Sequence, residues 1–446
     1  MKKYDKYKKC SIDWISEIPE NWNTLKLGRS FSNIGSGTTP KSTNPEYYEN
    51  GQTNWLNTGD LNDSYINETS KKITQLALKD HSTLKEYPVD SIVIALYGAT
   101  IGKLGHLKMP TTTNQACCVI SESVKISQRF LFYYFLAARE YIISKSYGGG
   151  QPNISQDLIR QLYIPAPSSS EQKTIINYLE HLTTQIDTLI EKKELLIEKL
   201  KRQRQAIINE AVTKGLNPVT PMKNSGIEWM GEIPEHWVFN KMKRNTYMKG
   251  RIGWQGLKQE EFIDEGPYLI TGMNFKDGII RWEEVYHITQ ERYEQAPEIQ
   301  LKKGDVLMTK DGTIGKLLYV DYLPGQASLN SHLLVLRCLD GTYLPKFLYY
   351  QLMTDLFQEH IDLHKTGTTF FGITQEAVGK YQMLLPPIIE QDEIIKYIEE
   401  KNSLFDELIF KSESSIEKLK LYRQSIISEA VTGKIDLRDW KQTINN

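Results

Sequence analysis

The sequence predicts an α+β protein built as a tandem repeat: two mixed α/β globular domains joined by two long helices that form an antiparallel coiled coil, with a pseudo-two-fold internal relation. Three observations carry this expectation. Asp13-Trp14-Ile15-Ser16-Glu17-Ile18-Pro19-Glu20-Asn21-Trp22 is answered 215 positions later by Glu228-Trp229-Met230-Gly231-Glu232-Ile233-Pro234-Glu235-His236-Trp237. Residues 171–214 align with 390–433 at a constant offset of 219, without a gap and with 24 of 44 positions identical, whereas the offset drifts elsewhere. A globular domain absorbs length changes in surface loops, but one residue inserted into a packed helix rotates everything after it by about 100°.

Taken in order, residues 1–167 form the first globular domain. Residues 91–97 read as a strand and 128–144 as an aromatic-rich helix. The first coil helix occupies 168–215: Ile175, Leu179, Leu182, Ile186, Leu189, Leu196, Leu200 and Ile207 follow steps of four and three, interrupted by Lys193 and Gln203. Ser168 to Glu171 has capping-box spacing, and Gly215 sits where a helix stop belongs. The second domain spans 216–387, with a strand expected over 304–309 and a helix over 345–361. Its coil helix, 388–433, carries Ile394, Ile398, Phe405, Leu408, Leu419, Tyr422 and Ile426 in the same phase. Lys193 and Ser412 share one repeat position, where a polar layer would set register. Each helix runs about 40 residues, or roughly 60 Å. Residues 434–446 read as a polar tail.

The 446 residues hold 54 basic and 55 acidic side chains, so no overall positive field marks a nucleic-acid binder. The question moves to local charge. Residues 1–170 hold 19 basic and 15 acidic side chains, and residues 221–387 hold 18 and 21, so any DNA footprint in the second domain must be a patch. Four cysteines without a CxxC disfavour both a zinc site and a disulfide framework, as expected of a reducing cytoplasm. The longest uncharged run, 322–336, is too short and polar to span a bilayer, and the basic start is not followed by an apolar leader.

Catalytic constellations are missing. Gly98-Ala99-Thr100-Ile101-Gly102-Lys103-Leu104 has the wrong spacing for a nucleotide-binding loop and lacks the final Ser or Thr. It reads as a tight turn between strands, or as a loop whose amides and Lys103 touch a phosphate, and it recurs as Thr313-Ile314-Gly315-Lys316-Leu317. Tyr133-Tyr134 recurs as Tyr349-Tyr350 at an offset of 216. Glu171-Gln172-Lys173 falls on a helix cap, Leu385-Pro386-Pro387-Ile388 is not an adenine-methylation tetrad, and no metal ligand set is apparent.

What remains is binding. The loop Gly35 to Asn44 combines backbone freedom with hydroxyl, amide and ammonium donors, the set that reaches phosphates and base edges. Candidate DNA contacts in the first domain are Thr38, Thr39, Lys41, Ser42, Asn44, Tyr97, Thr100, Lys103 and Gln151. In the second they are Lys249, Arg251, Trp254, Lys258, Lys310, Thr313, Lys316, Thr368 and Thr369. Different loops at comparable places suggest two different ligands.

The repeated IPxxW openings, the helix ends Glu210-Ala211-Val212-Thr213 and Glu429-Ala430-Val431-Thr432, the Pro-rich approaches to Glu171-Gln172 and Glu390-Gln391, and Gly37-Thr38-Thr39-Pro40 followed by Pro45-Glu46-Tyr47-Tyr48 together resemble the specificity (S) subunit of type I restriction-modification enzymes. The resemblance covers essentially the whole chain. It implies two target recognition domains, each reading one half of an asymmetric bipartite sequence in double-stranded DNA, held apart by the coil. It further implies a non-catalytic subunit that directs N6-adenine methylation by two modification subunits and cleavage by two restriction subunits. S-adenosylmethionine, ATP and Mg²⁺ would belong to those partners, in the cytoplasm and away from membranes. The second domain departs from the pattern: it lacks the Gly-Thr-Pro loop, and Asp311-Gly312 replaces Tyr97-Gly98-Ala99.

Duplicated charges off the seam, Glu180/Glu399, Lys192/Lys411, Glu194/Glu413, Lys201/Lys420 and Arg204/Arg423, need not match to preserve a coil. They are expected to form two equivalent docking surfaces. The competing classes are an architectural DNA-binding adaptor and a coiled-coil scaffold that never meets DNA, which the neighbouring genes would discriminate.

Overall fold

The computed structural model describes residues 2–146, 152–227, 230–251, 257, 261–275, 278–367 and 371–441. Two compact units emerge, Met1–Lys193 with Glu413–Asn446, and Glu194–Ser412. Their boundaries cut the two long helices, Ser169–Lys214 and Ile388–Val431, so each unit owns one globular domain, the start of the helix that follows it and the end of the other helix.

In the first unit a five-stranded sheet runs in the order Asn33–Gly35, Cys117–Ser121, Ile92–Ala95, Leu104–Leu107, Ser64–Ile66. All its pairings are antiparallel except the last. A three-stranded sheet, Thr112–Thr113, Thr53–Leu56 and Lys71–Ile73, lies next to it in the chain path. The helix Gln128–Ser144 buries Phe130, Leu131, Phe132, Tyr133, Tyr134 and Phe135, the aromatic run that made it legible.

The second unit repeats this plan with Thr246–Lys249, Leu333–Cys338, Val306–Thr309 and Leu317–Tyr319, and with Tyr286–Ile288, Phe262–Ile270 and Ala327–Leu329. The helix expected over 345–361 is two helices, Pro345–Leu352 and Asp355–His364. Thr354 breaks it: its Oγ1 donates to Gln351 O and accepts from Phe357 N, which starts a new helix at an N-cap.

One junction occurs in each unit and explains why the recurring motifs travel together. Glu171 and Ser168 form the capping box, and Glu171 Oε1 also accepts from Trp22 Nε1 at 3.1 Å. The buried Gln172 amide accepts from Ser127 N at 2.8 Å and donates to Lys125 O and Pro167 O. Gly433 ends the other helix at φ 73°, where a Cβ would stand 2.4 Å from Pro19 Cδ. In the second unit Gln391 likewise accepts from Leu344 N at 2.8 Å and donates to Thr342 O and Pro386 O. There Glu390 instead meets His236 Nε2 at 2.7 Å, and the buried Trp237 Nε1 has no hydrogen-bond partner among the described residues.

The bonds to Ser127 and Leu344 correct one equivalence. They put the two aromatic helices in register at an offset of 217, so Tyr133 corresponds to Tyr350 and Phe132 to Tyr349.

Within each unit the two helix segments run antiparallel. In the first, Glu171 and Gly433 meet around Trp22, while Asp187 takes Arg423 through two bonds of 2.8 and 3.2 Å. In the second, Gly215 lies beside Glu390, and Arg204 pairs with Asp406. These ion pairs are the same pair twice, because both residues recur at the offset of 219.

The apolar seam is narrower than its spacing suggests. Ile175, Leu179, Ile186, Leu200, Ile394, Ile398, Phe405 and Ile426 are buried, but Leu189, Leu196, Leu408 and Tyr422 are exposed. Ile208 rather than Ile207 is buried. Near the ends the helices pack into the domain cores, where Ile426, Ile427, Ala430 and Val431 share a cluster with Trp22 and Phe130. That contact, not a continuous heptad, decides which face turns inward. Ser412 is buried, but its Oγ donates to Leu408 O of its own helix at 2.8 Å.

The expected polar tail packs over residues 434–441. Ile435 and Leu437 are buried in the first unit, Asp436 N donates to Lys2 O at 2.9 Å, and Lys2 pairs with Asp439 at 2.7 Å. Asp436, between Ile435 and Leu437, is buried too and pairs with Arg438 at 2.7 Å, so three successive residues of this segment turn inward.

Candidate nucleic-acid interface

Strand register fixes which loops share an edge. In the first unit Gly35 pairs with Val119 and Ala95 with Cys117, so the exit of strand Asn33–Gly35, the exit of Ile92–Ala95 and the approach to Cys117–Ser121 emerge at one end of the sheet. Three loops therefore converge: 36–44, 96–103 and 114–116. They are stitched together by Gly37 N to Thr113 Oγ1 at 3.0 Å, Thr39 Oγ1 to Gln115 Oε1 at 2.7 Å, and Leu96 N to Ala116 O at 2.8 Å. A fourth segment joins through Ile154 N to Leu96 O at 2.8 Å and the Tyr97–Asn153 bridge.

The predicted residues fall unequally on this edge. Lys41, Ser42, Thr39 and Lys103 are exposed, and Tyr97 and Thr100 half-buried. Thr38 contributes its carbonyl to Trp55 Nε1 at 3.1 Å. Asn44 is occupied as a cap, accepting from Glu46 N at 3.2 Å. The turn from Gly98 to Lys103 has both glycines in the left-handed region, φ 85° and 75°. A Cβ on Gly102 would press on Ile143 at 3.1 Å, and Arg139 Nε holds the Gly102 carbonyl at 3.0 Å. The turn is thus pinned to the aromatic helix. Gln151 lies outside the described residues.

The second unit builds the same edge on the same backbone. Lys310 N donates to His332 O and Ile373 N to Lys310 O, both at 2.9 Å, and Asp311 bridges Gly372. These bonds match those of Leu96 with Ala116 and Ile154. The approach loop is duplicated as well: Asn114 Oδ1 accepts from Ala116 N, and Asn330 Oδ1 from His332 N, each at 3.1 Å. So Lys310 takes the place of Leu96, Asp311 that of Tyr97 and His332 that of Ala116.

Lys249 and Lys316 are exposed on this edge, Thr313 is exposed, and Lys310 is half-buried with its Nζ above Gly250. Arg251 corrects the expectation of a DNA contact. Only 3% of it is exposed, and its guanidinium donates to Leu329 O at 2.8 Å and Ser328 Oγ at 3.2 Å. Burial, then the charge of Arg292, lowers its pKa from the ordinary arginine value. It braces the loop base from inside. Trp254, Lys258, Thr368 and Thr369 lie outside the described residues.

Gln115, Asp311 and His332 also stand on this edge, and the sequence reading did not single them out as candidates. The signal was available: Thr113-Asn114-Gln115-Ala116 and Leu329-Asn330-Ser331-His332 precede strands at an offset of 216.

Two of the five duplicated charge pairs on the helices work internally, which corrects their expected role in docking. Glu180 accepts from Arg129 Nε at 3.0 Å and Tyr65 OH at 3.1 Å, and Glu399 pairs with Lys346 at the equivalent place. Arg204 and Arg423 hold the helices together. Lys192, Glu194, Lys201 and Glu413 stay exposed, as do Lys411 and Lys420, which pair with Glu407 and Glu417 of their own helix.

Comparison with known proteins places these features in context. The family described as "Type I restriction modification DNA specificity domain" matches residues 19–199 and 255–418. The chain is 23% identical over 442 residues to the MjaVIII type I restriction enzyme specificity subunit of Methanocaldococcus jannaschii, covering 95% of both chains. It is 23% identical over 444 residues to the EcoKI specificity subunit of Escherichia coli, covering 94% of this chain and 90% of that one. Among solved structures, a chain from work on complex assembly and conformational transition of the type I R-M system superposes with a TM-score of 0.72 at 17% identity, covering 94% of this chain and 99% of that one. The HsdS subunit of Thermoanaerobacter tengcongensis gives 0.52 at 16%, covering 94% and 98%. Both structural likenesses are of fold.

Proposed function

This chain belongs to the type I restriction modification DNA specificity family, and on that premise we propose that its two globular domains each read one half of a single bipartite DNA sequence. It is the DNA specificity subunit of a type I restriction-modification complex, which selects the target and leaves the chemistry to other subunits. The observation that carries the two-half reading is the duplicated sheet-end edge: one backbone scaffold presents Leu96, Tyr97 and Ala116 in one unit, and Lys310, Asp311 and His332 in the other. The same frame with different side chains at equivalent points is what two unlike half-sites require.

The helices act as a spacer of 46 and 44 residues, or roughly 69 and 66 Å at 1.5 Å per residue. Two modification subunits dock at the duplicated surfaces marked by Lys192, Glu194 and Lys201 and their repeats Lys411, Glu413 and Lys420, and two restriction subunits join them. S-adenosylmethionine, ATP and Mg²⁺ are assigned to those partners.

The test is a domain exchange. Residues 1–167 are replaced by the corresponding domain of another specificity subunit, and N6-methyladenine is mapped across the host genome with the modification subunits present. The expected result is a motif changed in one half and retained in the other. A motif altered in both halves would refute independent reading.

A further inference from the structure

Asp311 and His332 form an exposed pair across two loops of the second unit. His332 Nδ1 lies 3.2 Å from Asp311 Oδ2, with the side chains 63% and 40% exposed. Both stand on the sheet-end edge, at points the first unit fills with Ala116 and Tyr97. Asp311 Oδ1 lies over Gly372, 2.9 Å from where a Cβ there would be, so the loop opposite leaves room for the carboxylate.

The surroundings are basic. Lys249, Lys310 and Lys316 lie on the loops of this edge, Lys365 is paired with Asp362 at 2.8 Å, and among the described residues of loops 249–251, 310–316, 330–332 and 365–372, Asp311 is the only acidic one. A carboxylate repels phosphate, so an edge that only gripped the backbone would be better without it. Against a base edge it has a use, because a carboxylate accepts from the amino group of cytosine. With Nδ1–H donated to Asp311, Nε2 is the ring nitrogen of His332 that faces a ligand; in the neutral ring it is an acceptor, and in the imidazolium both nitrogens donate, so that Nε2–H then suits the O6 and N7 acceptors of guanine. Cytosine N4 and guanine O6 lie side by side on the major-groove edge of one base pair, and here an acceptor and a donor lie side by side on the protein.

We propose that Asp311 and His332, the latter bound as its imidazolium, together read one C·G base pair in the half-site of the second domain, Asp311 accepting from cytosine N4 and His332 Nε2–H donating to guanine. This rests on the reading of the sheet-end edge as the DNA-facing one. The experiment maps N6-methyladenine by single-molecule sequencing in a host expressing the full chain with its modification subunits, for wild type, His332→Ala, Asp311→Asn and Lys316→Ala.

The expected wild-type motif contains a fixed C·G pair, at which both edge variants accept other base pairs, with discrimination reduced roughly ten- to a hundredfold. Every other position, including the whole first half-site, is retained. Lys316→Ala lowers methylation at all sites alike, as loss of a phosphate contact does. A wild-type motif persisting in either edge variant overturns the assignment and leaves the two-half reading intact. Absence of any motif with the wild-type chain overturns that reading as well. Assembly with the modification subunits is followed by light scattering, and His332→Gln, which keeps a polar group of similar size, is read in place of His332→Ala if the latter does not assemble.

Discussion

Arg251 shows how a residue of the right type can serve the opposite side of a loop. Its guanidinium satisfies Leu329 O and Ser328 Oγ in the interior of the second unit. Arg251→Met leaves those acceptors without their charged donor, and is expected to lower the stability of that unit by roughly 1.5–3 kcal/mol in denaturant unfolding. His106 is a second buried polar group. Burial, reinforced by the charges of Arg129 and Lys108, lowers its pKa from 6.5 to about 4. The unfolded chain therefore binds a proton that the folded chain refuses. Stability from this group is fully present above pH 6.5 and declines as pH falls through that value towards 4, by roughly 3 kcal/mol in all. His106→Phe should flatten the pH dependence of unfolding across that window. Residue type alone distinguished neither case, since an arginine after a lysine-glycine pair and a histidine in a strand carry no mark of which way they point.

At the scale of elements, the helices were the most legible part. A constant offset and a periodic apolar pattern are local information, and the capping box and terminal glycines are where the chain said they were. Which apolar positions would be buried was less legible, because Leu189, Leu196, Leu408 and Tyr422 share the period but are exposed, whereas Ile175 and Ile426 are buried. The duplicated ion pairs Asp187 with Arg423 and Arg204 with Asp406 join the helix segments at the same place in each unit. Being partly exposed, each contributes on the order of 1 kcal/mol or less. Reversing one charge, as in Arg423→Asp, is expected to lower the melting temperature, and adding Asp187→Arg to restore most of it. The equivalent changes at Arg204 and Asp406 should repeat the result, and a double exchange no more stable than the single reversal would refute a direct pairing.

For the whole molecule, the near-zero net charge is divided unequally between the repeats. The spacer predicts that inserting one heptad into each helix lengthens the unread gap in the methylation motif while preserving both half-sites; an unchanged gap sinks the ruler role. A heptad keeps the apolar phase, whereas inserting two residues should abolish assembly. By itself the sequence determined that the chain is written twice, where each long helix starts and stops, and to which family the order of motifs belongs. These are statements about neighbours in the chain or about one copy set against the other. Only the tertiary structure decided that loops 36–44, 96–103 and 114–116 share an edge, that His332 and Asp311 meet there while Arg251 turns inward, and that Glu180 and Arg204 are spent inside the fold. The reason is that strand pairing joins residues tens of positions apart, and a shift of one residue in register would send every side chain of a strand to its other face.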